Sequence, residues 1–226
     1  YTSYSAFKDI TSILKANDWG NSGTFTVADV PLYEGKVSNL GTYGAWTMVV
    51  VYENEDEDFK SFSVYDGWKK VQDESGYREV DIDISGFMTP LNGDVNSSIS
   101  VFAAEGDKHI DDDYLKARVS DSDPFTTLTN TNGQTFDSSI TTAGNREPEL
   151  ENNNGIDIQT FDIGDGDDAY NVLDNGDNNV TFRFLTNQDT YWPSMIAFET
   201  NIYTPRVCYV QEILNPTVQE GDNVEF

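Results

Sequence analysis

The sequence is poor in the two residues, cysteine and histidine, on which many metal sites and catalytic centres depend. It contains one of each among 226 residues, Cys208 and His109. A single cysteine excludes a disulfide framework within the chain, and one residue of each type, far apart, disfavours zinc and other transition metals. A catalytic triad would have to use the one histidine, which we expect on a surface loop, and no nucleophile elbow, phosphate loop or zinc motif is present. The sequence therefore predicts a protein that is not an enzyme.

Positive charge is also scarce. The chain has 13 Lys and Arg against 40 Asp and Glu, which gives a formal net charge of −27. This balance disfavours nucleic acids and anionic membrane surfaces as partners, and the sequence lacks an apolar run long enough to insert into a membrane. Hydrophobic residues nevertheless make up 37% of the chain and aromatic residues 13%. That is enough apolar material for a folded core, so the acid excess does not indicate a disordered chain.

Short segments in which hydrophobic and polar residues alternate dominate the chain, as is typical of half-buried strands. We expect strands at residues 24–28, 45–52, 60–68, 78–84, 98–104, 179–185 and 194–203, with the apolar run 45–52 as a central strand. Phe7, Ile10 and Leu14 recur at helical spacing and predict one short helix over residues 6–16. Many strands, polar turns and little helix predict an all-β fold, a jelly-roll-like β-sandwich with long acidic loops.

The sandwich is expected to occupy residues 1–209, and residues 210–226 are expected to form a linker or extension strand. This tail contains the strand-like positions Val218, Val224 and Phe226. A lone strand has unpaired backbone groups and needs a partner. The tail is therefore either the start of a following repeat or a strand that pairs with a neighbouring copy by strand addition.

The densest run of acids lies within a long polar stretch, residues 120–178. There Asp162, Asp165, Asp167 and Asp168 are interspersed with glycines. Calcium takes about six to eight oxygen ligands, and glycine permits the tight turns that wrap a backbone around an ion. The spacing is not that of an EF-hand. The run predicts a calcium-binding loop, and the alternative is a solvated acidic turn.

A second group of acids follows the strand predicted at residues 98–104. Glu105 and Asp107 come directly after that strand, and Asp112 and Asp113 return a few residues later. Carboxylates at a strand end that face a returning acidic segment can converge on one cation. We therefore expect a calcium site here as well, with a plain acidic loop as the alternative. The acidic insert 53–58, in contrast, is interpreted as a solvated hairpin loop.

Four segments occur in an order that is shared with one family of domains. They are the strand 44–53 (GAWTMVVVYE), the turn 62–68 (FSVYDGW), the strand end 101–107 (VFAAEGD), and 189–193 (DTYWP) followed by Ile196, Ala197 and Phe198. Over about residues 7–209 the sequence resembles the large β-rich domain found beside the conserved repeat domains of very long secreted bacterial surface proteins. The resemblance implies an extracellular, non-catalytic module of an adhesin or fibre, and it implies no catalytic residues.

The predicted function is that of a secreted cell-surface module, structural or adhesive, which calcium makes rigid and which contacts neighbouring copies or domains of the same surface protein. Strand addition through the tail would make it a filament subunit. A calcium-dependent, lectin-like carbohydrate-binding module is the alternative, with Trp19, Trp68, Tyr191 and Trp192 as aromatic platforms for a glycan. A glycoside-active enzyme is a third reading that rests only on the abundance of carboxylates.

Overall fold

The computed structural model describes residues 3–16, 23–32, 44–142, 145–167 and 169–202. Within these ranges it contains one short helix and eleven strands. The helix α1 spans Thr11–Lys15, and the strands are β1 (Lys60–Asp66), β2 (Val71–Gln72), β3 (Glu79–Ser85), β4 (Ser97–Ala104), β5 (Asp113–Arg118), β6 (Thr126–Leu128), β7 (Thr141–Thr142), β8 (Asn145–Arg146), β9 (Ile156–Asp162), β10 (Asn179–Thr186) and β11 (Thr190–Asn201).

Eight of these strands form two antiparallel sheets that pack as a sandwich. The first sheet has the order β1-β11-β4-β9, and the second has the order β3-β10-β5-β6. The chain passes between the sheets so that most neighbours in each sheet are distant in sequence, with β5 and β6 as the exception, and this is the strand order of a jelly roll. The short β2 adds to β11, and β7 pairs with β8. The prediction of an all-β, jelly-roll-like sandwich is confirmed.

The core lies between the two sheets and follows from the alternation of side chains along each strand. In β5 and β9 every second residue is buried, and Leu115 and Phe161 belong to the same buried cluster. Its largest members are aromatic, and Phe136 packs against the ring of Tyr191 with ring centroids 4.7 Å apart. Because successive strand residues point to opposite faces, the odd-numbered positions of β5 and β9 all face the interior.

The N-terminal part of the chain differs from the sequence prediction. Residues 24–28 and 45–52 form no strand, and Trp46 is 55% exposed. High β-propensity produces a strand only where a neighbouring edge supplies hydrogen-bond partners, and 45–52 pairs with no described strand. The prediction of a central strand there is therefore wrong. The helix is also shorter than predicted, and Phe7 lies outside it and is exposed.

Strands β5 and β9 lie where the sequence analysis predicts no strand; β5 is an inner strand of the second sheet and β9 an edge strand of the first. Their inward positions carry polar residues, among them Asp113, Asp157 and Gln159, all fully buried. Apolar alternation is too weak in such segments to indicate a strand.

The jelly-roll topology places the loops at two opposite ends of the sandwich. The β4–β5, β6–β9 and β10–β11 connections meet at one end, as the pairing of Ala104 with Ile156 and of Asp113 with Thr186 requires. The β3–β4 and β9–β10 connections meet at the other. The two acidic groups identified in the sequence are therefore far apart in the fold, one at each end. The described helix is neither long nor apolar enough to cross a membrane.

Candidate metal centre

Five carboxylates gather at one end of the sandwich, which we call the acidic end. They come from the end of β4, the start of β5, the start of β9 and the β10–β11 turn, and they are Glu105, Asp107, Asp113, Asp157 and Asp189. Asp113 and Asp157 occupy inward positions on strands of opposite sheets, and each is 0% exposed. The alternation that buries Leu115 and Phe161 further along the same strands thus also drives two acids into the interior.

Several of these buried oxygens lack a hydrogen-bond partner. By hydrogen-bond geometry neither carboxylate oxygen of Asp113 has a partner, and the same holds for Oδ2 of Asp157 and Oδ2 of Asp189. The Thr186 side chain and the Asp189 carboxyl nevertheless lie close enough to Asp113 to affect its pKa through hydrogen bonding. The remaining oxygen of Asp157 accepts a hydrogen bond from the Ser139 backbone N–H at 2.9 Å. A buried carboxylate without donors is costly, and nearly all buried polar groups in proteins are paired. The acidic end therefore lacks positive charge or donors that its burial demands.

A glycine brings the end of β4 into contact with this group. Gly106 is buried, and a Cβ atom added to it would overlap Oδ2 of Asp157. Glu105, the residue before it, has φ of 70°, a left-handed conformation that is unusual for a residue with a side chain. The backbone of Gly106, which lies between Glu105 and Asp107 in sequence, therefore lies directly against the free oxygen of Asp157.

Burial and mutual repulsion disfavour the charged forms of these acids. Burial, followed by the charges of Asp189 and Asp107, raises the pKa of Glu105 to about 7. Burial is again the main cause for Asp113, whose pKa is raised to about 8, with the charges of Asp189 and Asp157 adding to it. Burial also raises the pKa of Asp157 to about 8, and the pKa of Asp189 is raised for the same reason. At neutral pH the group must bind protons or a cation.

Another buried acid shows how this fold normally satisfies a carboxylate. Asp137 is 5% exposed, and its Oδ2 forms an ion pair with Arg146 Nη2 at 2.8 Å. It also accepts hydrogen bonds from Asn130 at 2.9 Å and Asn132 at 3.2 Å. Both oxygens therefore have donors and a neighbouring positive charge. None of the ion pairs between described residues includes a member of the acidic end.

The acidic end is chemically suited to a hard cation, because all the side-chain atoms that it offers as metal ligands are carboxylate oxygens. Among the described residues, however, no three His, Cys, Asp or Glu side chains are grouped closely enough to hold an ion as they stand. Like charges repel at short distance, so such side chains stay apart until a cation or protons neutralise them. Binding would therefore require the carboxylates to draw together.

The structure brings together three of the four residues predicted at this end. Glu105, Asp107 and Asp113 belong to the acidic end, whereas the Asp112 side chain accepts hydrogen bonds from the Tyr114 hydroxyl and the Gln188 amide, both at 3.3 Å. His109 lies in an exposed turn, as expected. Sequence reasoning did not find two members, Asp157 and Asp189. The one signal for Asp157 is its place between two isoleucines in an alternating segment.

The second predicted calcium loop lies at the opposite end and is held by hydrogen bonds to its neighbours. Asp162 Oδ1 accepts from the Gly164 N–H at 3.1 Å, and Asp165 Oδ1 accepts from the Val95 N–H at 2.7 Å. Asp167 is exposed, and Asp168 lies outside the described residues. Two of these carboxylates therefore already have donors from the backbone. The prediction that this loop binds calcium stays a prediction.

The predicted glycan platforms are placed differently from one another. Tyr191 is fully buried, and its hydroxyl donates a hydrogen bond to the Leu185 carbonyl at 3.1 Å, so it is a core residue and not an exposed platform. Trp192 is half-buried and stacks on Trp68 with ring centroids 6.1 Å apart. Trp19 and the strand-exchange candidates Val218, Val224 and Phe226 lie outside the described residues.

Comparison with known proteins gives no family. No family model and no curated protein matches the chain. Among solved structures, the VP2 subviral particle of infectious bursal disease virus is similar at 11% identity and a TM-score of 0.34, over 80% of this chain and 40% of the viral chain. The structure of the Gx strain of infectious bursal disease virus is similar at 10% identity and a TM-score of 0.30, over 69% and 38%.

The chain thus spans about two fifths of the length of these viral chains. A likeness this weak bears on neither partners nor function. The resemblance to domains of bacterial surface proteins stays a prediction.

Proposed function

We propose that this chain is a non-catalytic structural or adhesive module of a secreted bacterial surface protein or fibre, and that calcium makes it rigid. Its partners are then neighbouring copies or domains of the same surface protein. The observation that carries this proposal is the burial of Asp113 and Asp157 with unpaired carboxylate oxygens, because buried acids without compensating charge need either protons or a cation.

The proposed location agrees with this chemistry. Extracellular modules bind calcium with dissociation constants of about 0.1–1 mM, which suits a site whose acids are only partly preorganised. Binding to the folded state alone stabilises it in proportion to RT ln(1 + [L]/Kd). A module of this kind is therefore more stable against unfolding in a calcium-rich exterior than where calcium is scarce.

Thermal unfolding tests the proposal directly. The protein is stripped with a chelator and its Tm is followed by calorimetry as calcium is added, with magnesium at equal ionic strength as the control. A rise in Tm that saturates with calcium and is larger than the rise with magnesium is expected. Identical curves in chelator and in calcium would remove the basis of the proposal.

A filament is the expected assembly if the module polymerises by strand addition. Among the described strands β1 pairs only with β11, and Phe62 and Val64 on it are 39% exposed each, so the edge of β1 that no described strand covers is suited to accept a donated strand. Electron microscopy of the purified chain with and without chelator distinguishes the two cases. Ordered fibres are expected for a polymerising subunit, and dispersed particles in both conditions would remove the polymerisation part.

One observation favours a calcium-dependent carbohydrate-binding module as the second candidate. The stacked, half-buried pair of Trp68 and Trp192 lies beside the acidic end, since Trp192 pairs with Ala104, the residue before Glu105. Aromatic faces and a nearby bound calcium ion together suit a sugar ring. Binding on a glycan array that is lost both in Trp192→Ala and on chelation is expected for this candidate. An array without any chelator-sensitive binding would count against it.

A further inference from the structure

We propose that a single calcium ion binds inside the acidic end, between the two sheets, with the carboxylates of Asp113, Asp157, Asp189 and Glu105 as its protein ligands. This inference rests on the proposed function, which requires a calcium ion but does not say where it binds. The site would tie the first sheet to the second at the end where the β4–β5, β6–β9 and β10–β11 connections meet.

The two buried carboxylates face the interior of the sandwich from opposite sheets. Asp113 begins β5 in the second sheet and Asp157 begins the regular alternation of β9 in the first sheet, and both face the interior. The three unpaired oxygens on these two residues are fully enclosed by protein. Side chains that are entirely buried, unpaired and inward-facing from opposite sheets are those that a bound cation would stabilise most. The ion would draw them closer together than they stand.

Further carboxylates lie at the rim of the acidic end, by which we mean its half-buried and exposed members Glu105, Asp107 and Asp189. The backbone at Gly106 lies directly against Oδ2 of Asp157, and Glu105 is the residue before Gly106 in sequence. Asp189, in the β10–β11 turn, is half-buried and contributes another unpaired oxygen. Asp107 is exposed and adds negative charge to this end of the sandwich, which attracts cations.

The choice of ion follows from the donors. Carboxylate oxygens select hard cations, and the acidic end contains no nitrogen or sulfur ligand that would favour a transition metal. Magnesium demands near-ideal octahedral geometry, whereas calcium accepts irregular sets of oxygens, one or two from each carboxylate. Ligands that come from four separate segments of the chain suit the less demanding ion.

The described acids of the glycine-rich loop at the other end of the sandwich are hydrogen-bonded or exposed, whereas the acidic end has buried oxygens without a hydrogen-bond partner. There Asp162 and Asp165 each accept a hydrogen bond from a backbone N–H group through one carboxylate oxygen, and in the glycine-rich loop Asp165 and Asp167 are exposed. Exposed acids are satisfied by water and need no ion. The sequence motif that most strongly suggests calcium is thus the poorer site of the two, and the better one is assembled from residues that are distant in sequence.

The test is calorimetric titration of the chelator-treated protein with calcium chloride, comparing two double variants of equal charge change. Asp113→Asn with Asp157→Asn removes charge at the acidic end without changing side-chain size, and Asp165→Asn with Asp167→Asn does the same at the glycine-rich loop. We expect one calcium ion per chain, an affinity at least about tenfold weaker in the first variant, and an unchanged affinity in the second. Circular dichroism in chelator checks that each variant is folded.

The outcomes separate this inference from the proposed function. Calcium binding that survives in the first variant and is lost in the second would overturn the location and leave the proposed function intact. A protein that takes up no calcium at all would overturn both. If the first variant is unfolded, Asp189→Asn at the half-buried rim replaces it, and unchanged calcium affinity in that variant would overturn the assignment.

Discussion

Replacement of Asp113 by asparagine should have opposite effects on the calcium-free and calcium-bound protein. The pKa of this carboxyl is raised from 3.8 to about 8, mainly by burial and then by the charges of Asp189 and Asp157. At pH 7 the folded state therefore holds a proton that the unfolded state has released. Over roughly three pH units this lowers the free energy of unfolding by on the order of 4 kcal/mol.

Asparagine has nearly the same shape and no proton to bind, so Asp113→Asn escapes that loss. Coupling with Asp157 and Asp189 shares the repulsion among several acids, and we therefore halve the figure to about 2 kcal/mol. For a domain of this size that corresponds to a rise in Tm of about 4–8 °C in chelator. The calcium response should move the other way. Calcium at about 100 times its Kd stabilises the wild type by about 2.7 kcal/mol, or about 5–11 °C, and should stabilise the variant far less.

The assay is differential scanning calorimetry of both proteins, in chelator and in saturating calcium. Asp137→Asn is the matched control, because it neutralises a buried acid that is paired with Arg146. Breaking that pair should lower Tm by a similar amount with and without calcium. A lower Tm for Asp113→Asn in chelator, or a calcium response equal to that of the wild type, would refute the reasoning.

Three further predictions concern the acidic end and the edge of β1 that no described strand covers. In chelator, the free energy of unfolding should fall as pH rises from about 4 to about 8, because the raised pKa values mean that the folded state binds more protons than the unfolded state. Calcium should reduce this pH dependence by displacing those protons. Urea denaturation across this pH range, with and without calcium, measures both effects. Gly106→Ala should destabilise by about 1–2 kcal/mol and weaken calcium binding, since its Cβ displaces Asp157 Oδ2, whereas Gly164→Ala, whose Cβ overlaps the Val95 carbonyl, should destabilise more and leave the calcium affinity unchanged. Val64→Lys on that edge of β1 should reduce self-association in analytical ultracentrifugation while Tm changes little, and an unchanged association would mean that this edge is not a contact surface.

The sequence predicts the fold class well because the signal for it is local. Strands β1, β3, β4 and β10 each begin within one residue of a predicted start, since alternation of apolar side chains is visible in the sequence itself. Strand β11 overlaps the segment predicted at 194–203 but begins earlier, at Thr190. Prediction from the sequence fails where tertiary context decides. The run 45–52 has high β-propensity but pairs with no described strand. Strand β9 shows only a weak alternation of apolar residues in the sequence, because two of its inward-facing residues are polar.

The candidate site shows the same division between local and distant information. Glu105, Asp107 and Asp113 are close in sequence, so their convergence at one strand end could be predicted from spacing. Asp157 and Asp189 reach the same place only because the jelly-roll order sets the start of β9 beside the end of β4, and the β10–β11 turn beside both. No spacing rule reports that, because the chain between Asp113 and Asp157 forms two strands of the second sheet and a long loop.

Burial is the property that separates the two acidic groups in energetic terms. Five carboxylates in water repel one another weakly, since the solvent screens them within about 8–10 Å. Two of those at the acidic end are removed from water entirely, and there the same charges interact far more strongly. An ion that binds between Asp113 and Asp157 therefore gains more from each carboxylate than one bound to the exposed loop, and it also relieves a repulsion that the fold otherwise retains. We therefore expect the exposure of the carboxylate oxygens in the folded chain, and not the count of acids in a segment, to decide where calcium binds.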